Sequence, residues 1–237
     1  MRPVILTLLL VLAACSHARV ATVQSMPPRL LPPPAQVVVY DFAITPDQVK
    51  LDAGVGPTLM RSGQTATDLQ IQAAEAVQAS LTTTLVRRLV SYGLPAEHFP
   101  LGAVPPPHSL LVQGQIVSVD EGNRTRRVLI GFGSGRSSVE ADAQLYDVAD
   151  SARPEFLVAF SGGANSGRMP GAAGTMGAGA VAQRLPTSAA VSGATHAGAE
   201  MHGTGNEAIA NDLANALARQ VGNYAVAQGW IPASAVH

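Results

Sequence analysis

Two long segments repeat apolar residues at helical spacing. In the first, residues 69–89, apolar side chains recur every fourth position, which places them on one face of a helix. Asp68 stands directly before this run, where its side chain is predicted to cap the first turn. The helix is predicted to end within residues 92–95, because the glycine and proline found there stop helices.

The second helix is predicted over residues 206–228, close to the C-terminus. Gly229 follows this segment and is predicted to form the C-cap, and residues 230–232 then end the domain. The apolar face of this helix consists of Ile209, Leu213, Ala216, Leu217, Val221 and Tyr224.

Between the helices the pattern changes to short runs that are typical of strands. Residues 36–42 and 156–160 are almost continuously apolar, as in strands that are buried on both faces. Residues 110–120 and 136–147 alternate apolar and polar side chains, as in strands with one face in solvent. A further strand segment is predicted at residues 127–132.

The order of these elements predicts an α+β fold. We expect two helices packed on one face of a mainly antiparallel four- or five-stranded sheet. Residues 36–163 would form the first part of this domain, and the C-terminal helix in residues 206–237 would complete it. Residues 164–205 are rich in glycine and alanine and bury little apolar area, so we expect a flexible insertion there.

The N-terminus has the pattern of an export signal. Arg2 precedes an apolar run, residues 4–12, that is too short to span a bilayer of about 30 Å and fits a signal-peptide core. The sequence Leu-Ala-Ala-Cys, which ends at Cys15, resembles the bacterial lipobox. In a lipobox the leader, here residues 1–14, is removed and the cysteine thiol carries lipid.

This resemblance implies a lipoprotein of a Gram-negative bacterium, held on a membrane by palmitate-type acyl chains at Cys15. Several acyl chains bind a membrane almost permanently. Ser16 follows the cysteine in place of the Asp that often keeps lipoproteins at the inner membrane, which favours the periplasmic face of the outer membrane. The alternative is an ordinary signal peptide cleaved after Ala14, which would leave a free thiol.

Residues 15–35 contain five prolines and no clear periodicity. Proline favours extended backbone, so we expect a lipidated, Pro-rich tether. At about 3.1 Å per residue, such a tether could hold the domain up to about 60 Å from the membrane. The alternative is a disordered terminus with no spacing role.

Composition excludes several classes of function. The formal net charge is -1 and charged residues make up 13% of the chain, so the composition gives no electrostatic footprint for DNA or RNA. Cys15 is the only cysteine, which excludes an intramolecular disulfide, a two-cysteine redox motif and a thiolate metal site. No cofactor or bound metal is expected.

Gly131, Gly133 and Gly135 interrupt the strand pattern just before Arg136. They are the candidate backbone bend, because glycine allows a bulge or sharp turn within a strand. A phosphate-binding loop is the alternative. Such a loop would need a helix after the glycines, and here a strand pattern follows them.

Four arginines surround this bend: Arg124, Arg126, Arg127 and Arg136. Guanidinium groups form paired bonds with carboxylates, so these residues are the candidate contact for an anionic partner. A peptidoglycan stem or an acidic protein face would have this chemistry. The alternative is that the arginines pair with acidic residues on the flanking strands or remain solvated.

The sequence contains no recognisable catalytic constellation. It lacks a Gly-x-Ser-x-Gly elbow, and Asp41, which follows a predicted strand, has no evident acid–base partner. His196, Glu200 and His202 could supply metal ligands, but their spacing is not that of the helical zinc motif. We therefore expect a non-enzymatic module that binds an envelope protein or peptidoglycan. The alternatives are a periplasmic binding module for a small anionic ligand and, with less support, an unrecognised hydrolase.

Three segments carry a family resemblance: VVVYDF at residues 37–42, DEGNRTRRVLIGFGSGRSSVEADAQLYD at residues 120–147, and AQGWIP at residues 227–232. They are similar to a family of uncharacterised bacterial lipoproteins, domain of unknown function 4410. The resemblance implies no activity, because none is established for that family. The order of strands and helices also resembles small domains of envelope-assembly lipoproteins, which is an analogy of fold alone.

Overall fold

The structure is a computed structural model that describes residues 18–52, 54–56, 59, 62–123, 135–150, 153–166 and 204–237. In this part of the chain, seven strands form one sheet and two long helices pack against it. The strands are β1 (Arg19–Ser25), β2 (Gln36–Tyr40), β3 (Val49–Lys50), β4 (Ala96–Phe99), β5 (Ser109–Asp120), β6 (Ser138–Val148) and β7 (Glu155–Asn165). The helices are α1 (Ala66–Ser91) and α2 (Thr204–Ala227).

The sheet is mixed, with strand order β1-β7-β6-β5-β2-β4 and with β3 beside β5. The pairs β1–β7, β7–β6 and β6–β5 are antiparallel, whereas β5–β2, β5–β3 and β2–β4 are parallel. The predicted α+β class with two helices is confirmed, but the predicted mainly antiparallel sheet of four or five strands is wrong. The parallel half arises because α1 forms the crossover between the β2–β3 segment and β4.

Strand β6 shows how the sheet separates two environments. Its alternate residues Val139, Ala141, Ala143 and Leu145 are at most 1% exposed and share a core with apolar residues of both helices. We call this side of the sheet the helix face. The intervening residues point to the other side, the open face, and are mostly polar because strand side chains alternate between faces.

Helix α1 begins one turn earlier than the apolar pattern indicates. Thr65 is the N-cap: its hydroxyl accepts from the Asp68 backbone N–H at 3.1 Å, and the Asp68 carboxylate accepts from the Thr65 N–H at 2.8 Å. The prediction that Asp68 is the cap is therefore wrong, since Asp68 is the reciprocal member of a capping box. The predicted end is confirmed: Tyr92 is the C-cap, and Gly93 follows with φ of 87°.

Helix α2 ends as its sequence predicts. Gly229 has φ of 76°, and its N–H donates to the Val226 carbonyl at 2.9 Å. The Trp230 N–H donates to the Ala225 carbonyl at 2.9 Å, which completes the cap. The two helices are also hydrogen-bonded to each other: the Thr84 hydroxyl of α1 donates to the Asn211 side-chain oxygen of α2 at 2.5 Å.

Strand β1 corrects the prediction for residues 15–35. Residues 19–25 do not form a tether: they pair antiparallel with β7, from Arg19 opposite Gly163 to Ser25 opposite Val158. Nearly all side chains of β1 are exposed, so the strand has no apolar periodicity. Backbone hydrogen bonds to β7 define it instead.

The two ends of the sheet are distinguished by the strand register. Arg19 lies opposite Gly163, close to where Asn165, Ser138 and Asp120 face one another across β7, β6 and β5. We call this the Arg19 end, and the opposite end, where β1 leads into Met26, the Met26 end. No helix in the described part of the chain is long and apolar enough to cross a membrane.

Several predictions concern residues outside the described ranges. The predicted signal peptide, residues 1–14, and the predicted lipidation site Cys15 belong to these. Residues 167–203, most of the predicted insertion, also lie outside them. The insertion was predicted to begin at residue 164, but Ala164 and Asn165 still belong to β7.

Candidate functional site

The predicted arginine cluster belongs to the connection between β5 and β6 at the Arg19 end. The two ends of this connection, where it leaves and rejoins the sheet, form its neck and are joined by backbone and side-chain hydrogen bonds. The Asn123 N–H donates to the Gly135 carbonyl at 3.0 Å, and the Ser137 hydroxyl donates to the Glu121 carbonyl at 2.8 Å. Both ends of the connection are therefore fixed at the edge of the sheet.

Of the predicted site residues, the structure describes Gly135 and Arg136. Gly135 has φ of 72°, a left-handed conformation that favours glycine, and Arg136 is exposed beside it. The remaining members of the two predicted sets lie outside the described residues: Arg124, Arg126, Arg127, Gly131 and Gly133.

The acidic side chains that flank this neck already have described partners. The Asp120 carboxylate pairs with the Lys50 ammonium at 2.8 Å and also accepts from the Gly122 N–H at 2.7 Å. The Glu140 carboxylate accepts from the Ser118 hydroxyl at 3.1 Å. Among the described residues, these contacts engage Asp120 with Lys50 and Gly122, and Glu140 with Ser118.

Asp41 has a partner that its place in the sequence does not indicate. The His98 Nε2 atom lies 2.9 Å from Asp41 Oδ1, because β4 carries His98 beside β2, the strand that Asp41 follows. Both side chains are partly exposed, at 48% and 30%. This pair joins the edge strand to the end of its neighbour.

A groove of about 750 Å³ opens at the Met26 end, between the segment that follows β1, the start of β7 and the last turns of α2. Its size is within the range of small-molecule sites. Most of its lining is apolar, including Met26, Pro27, Pro28, Leu30, Phe156, Leu157, Val158 and Phe160.

Arg29 closes one side of the groove with two carboxylates. Its guanidinium lies 2.7 Å from Glu155 Oε2 and 3.3 Å from Asp147 Oδ2. The hydrogen bond to Glu155 is the main cause that raises the pKa of Arg29 above its usual value. Because both acids already neutralise this cation, the groove offers little positive charge to an anionic ligand.

Gln228 joins the end of α2 to the chain that follows β1. Its side-chain oxygen accepts from the Leu31 N–H at 2.8 Å, and its amide nitrogen donates to the Arg29 carbonyl at 2.9 Å. The Trp230 indole N–H donates to the Leu31 carbonyl at 3.0 Å. The walls of the groove are thus bonded to each other, so its shape is built into the fold.

Tyr224 lies on the α2 wall of the groove. Burial raises the pKa of its phenol, with a smaller opposing contribution from the hydrogen bond to Gln228. The ring also packs edge-on against Trp230, with centroids 5.8 Å apart. A neutral phenol and aromatic surfaces favour binding of an apolar or uncharged group at this end.

Sequence analysis missed this groove because its three walls are far apart in the chain. Two signals pointed to it: Arg29 stands between a pair and a triplet of prolines in a segment assigned to a tether, and the apolar face of α2 ends in Tyr224. Neither signal indicates that the two segments meet.

A model of the family described as a domain of unknown function (DUF4410) matches residues 37–183. The chain belongs to this family. The match includes β2 to β7 and α1, and it confirms the resemblance carried by residues 37–42 and 120–147. The AQGWIP segment lies beyond the matched residues. No curated protein matches the chain.

Solved structures that are similar to this chain include two of one protein. The PelC dodecamer from Paraburkholderia phytofirmans is 12% identical and has a TM-score of 0.32, and the similarity covers 63% of this chain and 81% of that chain. A variant of the same dodecamer is 14% identical with a TM-score of 0.33, and the similarity covers 63% of this chain and 80% of that chain.

Proposed function

We propose that this chain is a lipoprotein of the outer membrane, anchored through Cys15 on the periplasmic face, that acts as a non-catalytic binding or assembly module of the cell envelope. One observation carries the proposal furthest: β1 begins at Arg19, four residues after the cysteine of the lipobox-like sequence. At about 3.5 Å per residue, four residues reach at most about 14 Å.

This short reach replaces the long spacer that the prolines suggested. An acylated Cys15 would hold the Arg19 end of the sheet beside the bilayer. Strand β1 has seven residues and spans about 20 Å, so the groove at the Met26 end would face away from the membrane. A partner in the periplasm could therefore reach it.

The arginines of the β5–β6 connection would lie on the membrane side of the domain. We assign them to an anionic partner, a carboxylate-bearing stem of peptidoglycan or an acidic protein face. The closed neck at Asn123 and Gly135 supports this assignment, because it fixes where the connection leaves the sheet.

A non-catalytic mechanism fits the chemistry of the described residues. Acid–base or nucleophilic catalysis needs interacting groups in one site. His98 and Asp41 form such a pair, but no serine, threonine or cysteine side chain of the described residues hydrogen-bonds to His98. We assign this pair to holding β4 in place.

Metabolic labelling with an alkyne fatty acid tests the anchor. The wild-type protein and a Ser16→Ala control should take up the label and sediment with outer membranes. Cys15→Ser should lose the label and keep its leader, because the thiol is the acyl acceptor. An unlabelled wild-type protein in the soluble fraction would overturn the proposed function.

Crosslinking in living cells followed by affinity capture tests the binding role. We expect Arg126→Ala with Arg127→Ala to reduce capture of the specific partner about tenfold, the effect of losing about 1.4 kcal/mol. Arg153→Ala with Arg219→Ala is the matched control, because both arginines are exposed on other parts of the domain. Equal capture by both double variants would show that the arginines of the β5–β6 connection do not bind the partner.

A further inference from the structure

The two edges of the sheet differ in how well they are protected. Among the described strands, β1 and β4 each pair on one side only. β4 has four residues, carries the polar side chains of Glu97 and His98, and lies between Pro95 and Pro100. Short length, charge and proline are the features by which proteins prevent a further strand from adding to an edge. The β4 edge therefore disfavours strand addition.

The β1 edge has none of these protections. β1 has seven residues and no proline, and its one charged residue, Arg19, stands at the first position. Val23 is 64% exposed within the strand, and Met26, directly after it, is 49% exposed. A long edge with exposed apolar side chains indicates an interaction surface, because its backbone groups can pair with a further chain.

Backbone groups of β1 point to this free side. The Met26 N–H donates to the Leu157 carbonyl of β7 at 2.8 Å. Neighbouring residues of an antiparallel pair direct their N–H and C=O groups to opposite sides, so Ser25 directs both groups away from β7. The Val20 carbonyl accepts from the Gln220 side chain of α2 at 3.2 Å, so it too lies on the free side, and Thr22, two residues later, has the same direction.

The groove at the Met26 end lies along this same edge. Thr22 and Ser25 line it from β1, and Asn223 and Tyr224 line it from α2. Residues directly opposite each other in neighbouring strands share a face of the sheet. A residue of an added strand opposite Thr22 or Ser25 would therefore direct its side chain into the groove. Free main-chain groups beside a side-chain pocket are the arrangement that binds extended peptides at a sheet edge.

The charge of the groove restricts which side chains it can accept. Glu155 already neutralises Arg29, and burial raises the pKa of Tyr224, so this phenol stays neutral at physiological pH. Val158 and Phe160 supply apolar lining from β7. An apolar side chain meets no unpaired charge here, whereas a charged one would lose its hydration without gaining a free counter-ion.

We propose that β1 binds an extended segment of a partner protein as an added strand, with uncharged apolar side chains at the alternate positions that enter the groove. In naming a partner, this inference rests on the proposed binding role, but it does not require the anchor at Cys15. It uses a different surface from the arginines of the β5–β6 connection, so the two contacts can be tested separately.

Fluorescence polarisation with strand peptides tests the contact on the full-length protein in detergent. The probes have the length of β1 and the sequence TVTXTVT, where X is Val, Leu, Phe, Glu or Lys. The Val, Leu and Phe peptides should bind saturably, and the Glu and Lys peptides should bind at least about tenfold more weakly, because the groove is apolar. Absence of binding by every peptide, or equal affinity of the charged and apolar ones, would overturn the proposal.

Two methylated forms of the Leu peptide test the main-chain bonds. One is N-methylated at its valines and leucine, and the other at its threonines, so each loses the N–H donors of one edge and keeps all its side chains. An added strand directs only one of its edges to β1. One form should therefore bind about tenfold more weakly than the other. Equal affinities would show that side chains alone hold the peptide, against the proposal.

Val23→Lys places a charge on the edge and should weaken binding of the Leu peptide about tenfold. The matched control is Val90→Lys, since Val90 is 53% exposed but lies on α1. The control should bind as wild type does. Equal binding by both variants, with unchanged midpoints of unfolding, would mean that the peptide binds elsewhere.

Hydrogen exchange identifies what covers the edge. The Thr22 and Ser25 amides should exchange quickly in the free monomer and at least about tenfold more slowly with saturating Leu peptide. Slow exchange in the free monomer would show that another segment of the same chain covers β1. Slow exchange with dimers in sedimentation would show a second copy there. Either result overturns the proposal.

The same samples separate this proposal from the anchor. Cys15→Ser should bind the Leu peptide as wild type does, because the thiol lies outside the contact. Acylated protein that binds no peptide overturns only the edge contact, whereas unacylated wild-type protein that binds it overturns only the anchor.

Discussion

The helix face and the open face of the sheet are built by the same strands but have different neighbours. On β6, Ala143 and Leu145 lie in the core, whereas Gln144 between them is half-buried on a face that no described helix covers. The backbone is the same in both cases. The difference arises because both helices pack on one side and bury its side chains, while the other side carries mostly polar residues.

The open face is not uniform along its length. Toward the Met26 end, Val38, Tyr40, Leu111 and Val148 form a second small core, with Phe99 and Ala103 packed against it. The Tyr40 hydroxyl donates to the Ala103 carbonyl, and burial raises the pKa of this phenol. The contrast between the faces is therefore sharpest in the half of the sheet nearer to Arg19.

The largest expected effect comes from truncating neighbouring residues on the two faces. Leu145→Ala should lower the free energy of unfolding by about 3 kcal/mol, because it removes a fully buried side chain and leaves a cavity. Gln144→Ala on the open face should cost only about 1 kcal/mol, because it removes the acceptor of the Tyr146 hydroxyl, 2.7 Å away, and no buried apolar side chain. Urea unfolding measures both, and equal costs would contradict the asymmetry.

Gly114 offers a second test, by addition instead of removal. An added Cβ at this position would overlap the Phe42 ring, which is fully buried, and the Asp142 carbonyl oxygen. We expect Gly114→Ala to cost about 2 kcal/mol of stability, since a packed core cannot shift freely. Its sequence neighbour Gln113 is the control, and Gln113→Ala should have little effect on the midpoint of unfolding.

A smaller effect is expected at the end of α2. Gln228→Ala should cost about 1 kcal/mol, because the Leu31 N–H and the Arg29 carbonyl lose their bonds to this side chain. The exposed Gln72 on α1 provides the matched Gln72→Ala control. Hydrogen exchange should show faster opening of residues 29–31 in the first variant only.

The smallest expected effect depends on pH. The Thr65 backbone N–H lowers the pKa of Asp68, and the Thr65 hydroxyl lowers it further. Because this pKa is lower in the folded state, the carboxylate stabilises the fold at any pH above its unfolded pKa of about 3.9. This stabilisation disappears as the pH falls through the folded pKa. Asp68→Asn should therefore melt slightly below wild type at pH 7, and the two curves should converge near pH 2. A constant difference would contradict the capping box as its cause.

The helices were predictable because local pattern and tertiary packing agree in them. The apolar face of α2 became buried, and Gly229 caps the helix as glycine there predicts. The central strands were predictable for the same reason: β2 contains a run of valines buried on both faces, and β6 alternates from Ser138 to Leu145. In each case the spacing of apolar side chains along the element indicates which of its faces is buried.

Strands β1, β3 and β4 could not be predicted in this way. β3 has two residues, and β4 is the short sequence AEHF at an edge. β1 exposes nearly all its side chains. These strands exist because a neighbouring strand offers backbone donors and acceptors, and that depends on residues more than a hundred positions away in the case of β1.

The sequence by itself determined the two helices, their caps at the C-terminal side, the buried strands and the family, because each depends on residue types at fixed local spacing. Only the tertiary structure decided the strand order, the mixed direction of the sheet, the conversion of residues 19–25 into an edge strand and the groove between Met26 and Tyr224. These features arise from contacts between segments that are distant in the chain, and side-chain periodicity does not indicate which of these segments will be in contact.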